Sequence, residues 1–272
     1  MRQAFLILCT ALCISSYAQT ILSGNISVSD IPEIITTDLS TINTVQDLNQ
    51  RIDRGGQLIL KIGKLILPQE LDSFFLILDR LELSDFEIIT NGNEMTIISN
   101  KIISKNTKIK SYSEKSNDGK NGSDINIYNI ESFTGLLKID SSGNNGKNGA
   151  RGHNGRNSRS RYGIDCRSPA KGGRRGKPGG NGGNGGNGGN GGNLNIFTIY
   201  NPIVFELNDI IFSTNSGKGG KGGRGGKGGR NSGPCRVGHN VVAANGPNGG
   251  DGNDGSDGKI KVKSFKLSDL LQ

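Results

Sequence analysis

Glycine returns at every third position in four separate runs of this chain, 143–155, 173–191, 217–229 and 246–258, and the second run contains five consecutive Gly-Gly-Asn triplets over 179–193. A period of three with one edge free of side chains is the geometry of the extended left-handed helix, whose backbone makes no hydrogen bonds within itself. Its amides must bond to neighbours or to water. Collagen is one arrangement of such helices, but it relies on abundant proline, and this chain has 7 Pro against 44 Gly. The remaining ordered solution is side-by-side packing within one molecule. A flexible linker would have no reason to keep the period.

The third and fourth runs, laid antiparallel, match Gly217 with Gly258 and Gly229 with Gly246, which sets Lys218 against Asp257, Lys221 against Asp254 and Arg224 against Asp251. Exposed ion pairs contribute only about 0–1 kcal/mol each, so these three are expected to mark the register rather than to hold it. The same construction in the first pair of runs sets Gly143 opposite Gly191 and Gly155 opposite Gly179, with Asn between them.

Residues 1–18 read as a secretory signal, with Arg2 as the basic end, an apolar run from Ala4 to Ile14, and small residues before a cleavage expected after Ala18. The run is too short to span a bilayer, and no later segment is apolar enough to do so. Export would leave Cys166 and Cys235 in an oxidising compartment. Each lies where the glycine period fails, at the expected tip of an excursion. A bridge between them would close a loop of about seventy residues, stabilising by on the order of 4 kcal/mol; free thiols or a metal pair are the rivals. The formal charge of +9 falls by one with loss of Arg2, which suits an anionic partner.

Residues 19–42 show no clear period and read as a loose lead-in to a core over 43–272. Asn43 with Gln46 signals a helix start, Val45, Leu48 and Ile52 form one apolar stripe, and Gly55-Gly56 ends the helix. Apolar, β-rich segments follow at 58–62, 65–67, 94–112, 124–140, 193–214 and 259–266. Laid under one another they look like successive coils of a solenoid, each burying its apolar face on the next; hairpins in a sandwich would give a similar pattern. The excursions 141–192 and 215–258 interrupt one corner of consecutive coils, and 117–122 is a stub at the same place.

Helix, double glycine and apolar strand resemble the start of right-handed parallel β-helices of the pectate-lyase type. The resemblance implies an all-β, parallel solenoid whose short N-terminal helix plugs the open end of the coil. The triplet excursions with their non-periodic tips resemble two further groups, the tail-fibre-tip adhesins of T-even-like phages and the snow-flea-type antifreeze proteins. That likeness implies polyglycine-II hairpins packed side by side, presenting either receptor-binding loops or a flat ice-binding face.

Motifs for chemistry are thin. His153 and His239 both lie inside excursions without a metal-spaced cluster around them, and no nucleophile elbow or cofactor fingerprint is present. Asp140 and Asp209 are better read as turn residues than as paired acids. Asp251, Asp254 and Asp257 lack the apolar residue of calcium-binding glycine repeats. No catalytic residue, metal or cofactor is expected. The basic runs lack interleaved aromatics, which disfavours nucleic acid. The expected function is recognition of anionic polysaccharide or a cell surface through the tip residues Arg156, Arg159, Arg161, Arg167 and Arg236, together with Lys218, Lys221, Arg224, Lys227 and Arg230 along the blade. A structural coat component and an ice-binding protein are the alternatives.

Overall fold

The computed structural model describes residues 19–36, 42–113, 118–157, 176–199, 210–230, 242–266 and 268–269. The apolar runs become β1 (Gln19–Ile26), β2 (Gln57–Ile66), β3 (Ser73–Ile89), β4 (Glu94–Lys110), β5 (Ile125–Asp140), β6 (Leu194–Thr198), β7 (Ile210–Ser213) and β8 (Ile260–Ser264). They form one sheet in the order β1-β2-β3-β4-β5-β6-β8, with β7 beside β5, and every pairing between named strands is parallel. Hairpins are antiparallel, so the sandwich alternative is excluded for these strands. The lead-in is also more ordered than its sequence suggests. Its alternating burial makes it the edge strand β1, in register with β2 from Gln19 on Gln57 to Ile26 on Leu65.

Like residues stack from strand to strand. Phe74, Met95, Ile125 and Leu194 form one buried file, and Leu76, Ile97, Ile127 and Ile196 another. These files are the main core, which Ile31 and Ile35 join from the turns after β1. Burying a side chain of this size stabilises by about 1.5–3 kcal/mol. Phe86 is the largest of the fully buried side chains among the described residues. Phe86→Ala is therefore expected to lower unfolding stability by about 3–5 kcal/mol in urea titration.

Within the long strands the backbone bends at stacked positions. Ile62, Asp85 and Asn106 lie level in β2, β3 and β4 and all have left-handed φ, at 45°, 51° and 51°; Gly135, paired with Ser104, has φ 93° in β5. Asn106 Nδ2 donates to Asp85 Oδ1 at 2.8 Å, tying two of these corners together. Asn and Asp tolerate this conformation and Ile does not, so Ile62 is the strained member.

The α-helical segments among the described residues are α1 (Glu33–Thr36), a single turn, and α2 (Val45–Gly55). Thr44, not Asn43, caps α2. Its hydroxyl accepts from Asp47 N–H while Asp47 Oδ2 accepts from Thr44 N–H, a capping box one residue later than the sequence suggests. Leu48 and Ile52 are buried as expected, but against Ile42, Ile77 and Ile98, which form a second cluster separate from the main core. Ile77 and Ile98 sit on the face of β3 and β4 opposite Leu76 and Ile97. So α2 packs against β3 and β4 on the sheet face opposite the main core, rather than over an end of the sheet. The same outer file continues to Tyr128 and Phe197, whose rings stack at 4.4 Å with 6° between planes.

Candidate functional site: a cationic ridge on a glycine array

The end of β5 leads straight into a first outgoing run (141–157), and a first return run (176–193) leads into β6. A second outgoing run (214–230) follows β7, and a second return run (242–259) precedes β8. Hydrogen bonds join them at every third residue. The first return run donates to the first outgoing run from Gly192 N–H on Ser141 O to Gly180 N–H on His153 O, within one residue of the expected register. It also donates to the second return run, from Gly191 on Ser256 to Gly179 on Ala244. The second outgoing run donates to the first return run, from Gly217 on Gly189 to Gly229 on Lys177. It accepts from both remaining runs, as in Gly149 N–H on Lys221 O and Gly249 N–H on Gly223 O, at 2.8 and 2.9 Å. The first return and second outgoing runs are thus the inner pair, each touching three others. Their partners are the outer pair.

Glycine content follows from that position. The inner runs have two glycines per triplet and the outer runs essentially one, because each contact edge must be bare. In the second outgoing run, a Cβ at Gly220, Gly223 or Gly226 would strike the carbonyls of Lys147, Ala150 or His153. One at Gly219, Gly222 or Gly225 would strike the second return run at Gly252, Gly249 or Gly246. Only the third residue of each triplet has room for a side chain. Those residues are Lys218, Lys221, Arg224, Lys227 and Arg230, all exposed.

Backbone bonds satisfy one amide in three of the second outgoing run, and side chains of its neighbours take most of the others. Lys218, Lys221, Lys227 and Arg230 N–H donate to Oδ1 of Asn145, Asn148, Asn154 and Asn157 at 2.8–3.0 Å. Ser216, Gly219, Gly222, Gly225 and Gly228 N–H donate to Asp257, Asp254, Asp251, Asn248 and Asn245. The first return run does the same for the second return run, with Asn184, Asn187 and Asn190 accepting from Gly250, Asn253 and Ser256. The position equivalent to Gly250 one triplet earlier is Pro247, which has no N–H to satisfy.

The three expected ion pairs do not form. Gly255 N–H lies on Gly217 O and Gly258 N–H on Thr214 O, one triplet from the charge-matched register. The aspartates that were to meet Lys218, Lys221 and Arg224 accept backbone amides instead. An unmade bond to a buried or half-buried amide costs about 1–3 kcal/mol, against about 0–1 for an exposed ion pair, so amide satisfaction sets the register.

Asp257 accepts from both the amide and the hydroxyl of Ser216, at 2.7 and 2.8 Å, and the amide bond first of all holds its carboxyl below the usual 3.8. A depressed carboxylate favours the fold above its ordinary pKa, and that contribution fades as pH falls through the lowered value. Exchange of Ser216 N–H relative to Gly217 N–H is accordingly expected to rise below pH 3.8, since Gly217 bonds only to the carbonyl of Gly189.

The cations stand roughly 9 Å apart, at three residues of about 3.1 Å rise each. The ion pairs among the described residues are Arg80–Glu82, Lys101–Glu131, Lys110–Glu87 and Lys120–Asp118. Lys218, Lys221, Arg224 and Lys227 take part in none of them. A further cation joins the row from the first outgoing run. Arg151 occupies the acceptor position level with Arg224, where its neighbours in that file are Asn145, Asn148, Asn154 and Asn157. A guanidinium cannot accept, so the ladder is broken there and two cationic residues lie level in the register. Arg156 is exposed at the outer end of the first outgoing run. Arg159, Arg161, Arg167 and Arg236, the cysteines Cys166 and Cys235, His239, Asp209 and the signal segment lie outside the described residues. Asp140 Oδ1 accepts from Ser142 N–H, in keeping with a turn role.

At the root of the array a cavity of about 510 Å³ is lined by Asp72, Glu94, Asp124, Asp257 and Lys259, among others. Two of its carboxylates hold the root together: Asp124 Oδ1, just before β5, accepts from Asn193 N–H of the first return run at 2.6 Å, and Glu94 Oε1 of β4 accepts from Asn126 Nδ2 of β5 at 2.6 Å. Beside it Tyr112 donates its hydroxyl to Asn121 O, and burial, with Asp118 nearby, pushes its pKa up to about 12. No described helix is long and apolar enough to cross a membrane. No family model matches the chain, and neither a curated protein nor a solved structure matches it.

Proposed function

We propose that this chain is an exported, non-enzymatic recognition protein that binds anionic polysaccharide or an acidic cell surface along a rigid cationic ridge. The observation that carries the reading is the row Lys218, Lys221, Arg224 and Lys227. Its backbone is fixed by bonds to three other runs, while its ammonium and guanidinium groups are exposed and engaged by no carboxylate among the described residues. Immobilised cations at regular spacing attract a linear polyanion with little ordering cost on the protein side. Binding, rather than turnover, suits an open row without an enclosed pocket around it.

The architecture supporting this reading is a parallel β-solenoid carrying a polyglycine-II blade. In-register parallel strands and level left-handed corners support the solenoid; triplet hydrogen bonding supports the blade. In this reading the tips add Arg159, Arg161, Arg167 and Arg236, with a Cys166–Cys235 bridge joining them. The likeness to phage fibre-tip adhesins points the same way. The antifreeze likeness has less support, because the oxygens of Asn184, Asn187 and Asn190, the neutral ladder an ice face would use, already accept amides of the second return run.

Heparin binding by the mature chain, titrated with salt, tests the proposal. Affinity is expected to fall steeply with ionic strength, and salt-insensitive binding or none would overturn it.

A further inference from the structure

Between the first outgoing and first return runs lies a groove whose base is filled by the stub 118–124. The stub shows what belongs in it. Gly119 N–H donates to Asn145 O and Gly122 N–H to Asn190 O, while Asn144 N–H donates to Lys120 O and Asn190 N–H to Asn121 Oδ1. Glycine makes the fit possible, since a Cβ at Gly189 would strike the Lys120 carbonyl. Both walls therefore offer a donor and an acceptor in each triplet, and the stub uses all four.

Farther out the same groups recur without a partner among the described residues. One wall presents Ala150 and His153 N–H with Arg151 and Asn154 O. The other presents N–H and O of Asn184 and Asn181. Among the described residues none of these groups is bonded. The floor is the second glycine of each triplet, Gly183 and Gly180, where the nearest atoms to an added Cβ are the Ala150 and His153 amide nitrogens at 3.1 and 3.2 Å. Facing the groove, these glycines meet no other run. Like the edge of a β-sheet, a row of aligned free amides and carbonyls is a template for another strand.

We infer that the groove is completed by a second copy of this chain, the first return run of each molecule lying in the groove of the other about a two-fold axis. Three observations favour this occupant. The free groove continues the stub's own interface without a break. Only a strand with a bare edge can reach walls made of backbone, and the first return run has that edge at Gly180, Gly183 and Gly186. Its rigidity in the array removes the ordering cost that a loose peptide would bear. The contact is then isologous, with each patch its own complement. Lys147, Arg151 and Arg156 on the flanking run bring like charges together, so the association strengthens as salt rises, opposite to polyanion binding.

Sedimentation velocity of the full chain across concentration, at low and high salt, combined with amide exchange, tests this. A dimer favoured by salt is expected, with exchange at Ala150 and His153 slowed about tenfold or more on association. Ala150→Arg, at an exposed position that already carries a Cβ, is expected to return the protein to monomer while Gly183 and Gly223 amides keep their protection. A monomer up to the solubility limit would overturn the inference. So would a dimer whose Ala150 and His153 amides exchange at the monomer rate, or one indifferent to Ala150→Arg.

Discussion

Gly223→Val is expected to dismantle the glycine array, whereas Gly250→Ala leaves it standing. At Gly223 an added Cβ would overlap the carbonyl oxygen of Ala150, with that residue's carbonyl carbon at 2.6 Å and the oxygen of Gly149 at 2.8 Å. All three atoms are backbone, held by neighbouring runs, and cannot move aside as a side chain would. Overpacking of an ordinary core costs about 1–3 kcal/mol; without room to relax, the cost here is expected at or above the top of that range. At Gly250 the only atom within reach is Asn184 Oδ1 at 3.9 Å, an ordinary contact. Urea unfolding of the two variants, with amide exchange at Gly152 and Gly180 as local probes, separates the outcomes. Equal stability of Gly223→Val and the parent would mean that the runs do not touch.

Replacing the ridge cations together, as Lys218→Gln, Lys221→Gln, Arg224→Gln and Lys227→Gln, is expected to abolish most polyanion affinity. At low salt, about 1 kcal/mol per cation near an anionic surface amounts to roughly a thousandfold loss across the four. Stability is expected to stay within about 0.5 kcal/mol, since these side chains make no ion pair among the described residues and their backbone amides are untouched. Arg151→Asn divides the two properties further. It removes a cation next to Arg224, weakening binding, and restores an acceptor for the Arg224 amide, which raises stability by about 0.5–1.5 kcal/mol. Heparin affinity that survives the four substitutions would move recognition away from the ridge.

The period of three, the antiparallel return of each excursion and the approximate place of most strands are legible in the residues themselves. So is more than the period. Runs written Gly-Gly-Xaa are the inner ones and runs written Gly-Xaa-Xaa the outer ones, because a strand needs a bare edge for every neighbour it packs against. The register of the second excursion misleads when charges are matched, because Asp251, Asp254 and Asp257 serve amides rather than ammonium groups. Arg151 escapes notice for a related reason. Only the tertiary alignment, the one that sets Lys218 on Asn145 at a separation of 73 residues, puts it beside Arg224. β3 is hidden by its own composition, since Phe74 to Leu78 is apolar throughout and shows no alternation. Both faces are covered, one by the main core and the other by α2. β1 is hidden by the opposite fault, since Gln19, Ser23 and Asn25 make its outer face mostly polar and its apolar residues find cover only by pairing with β2.

Amide hydrogen exchange of the glycines decides whether the four runs are bonded to one another. If the runs are bonded to one another as described, Gly180, Gly183 and Gly186 exchange slowly through bonds to the first outgoing run. Gly220, Gly223 and Gly226 do so through bonds to the first return run, and all six lose protection together on unfolding. Exchange of these six amides at the rate of an unstructured peptide, in a protein whose β3 and β4 amides remain protected, would contradict it.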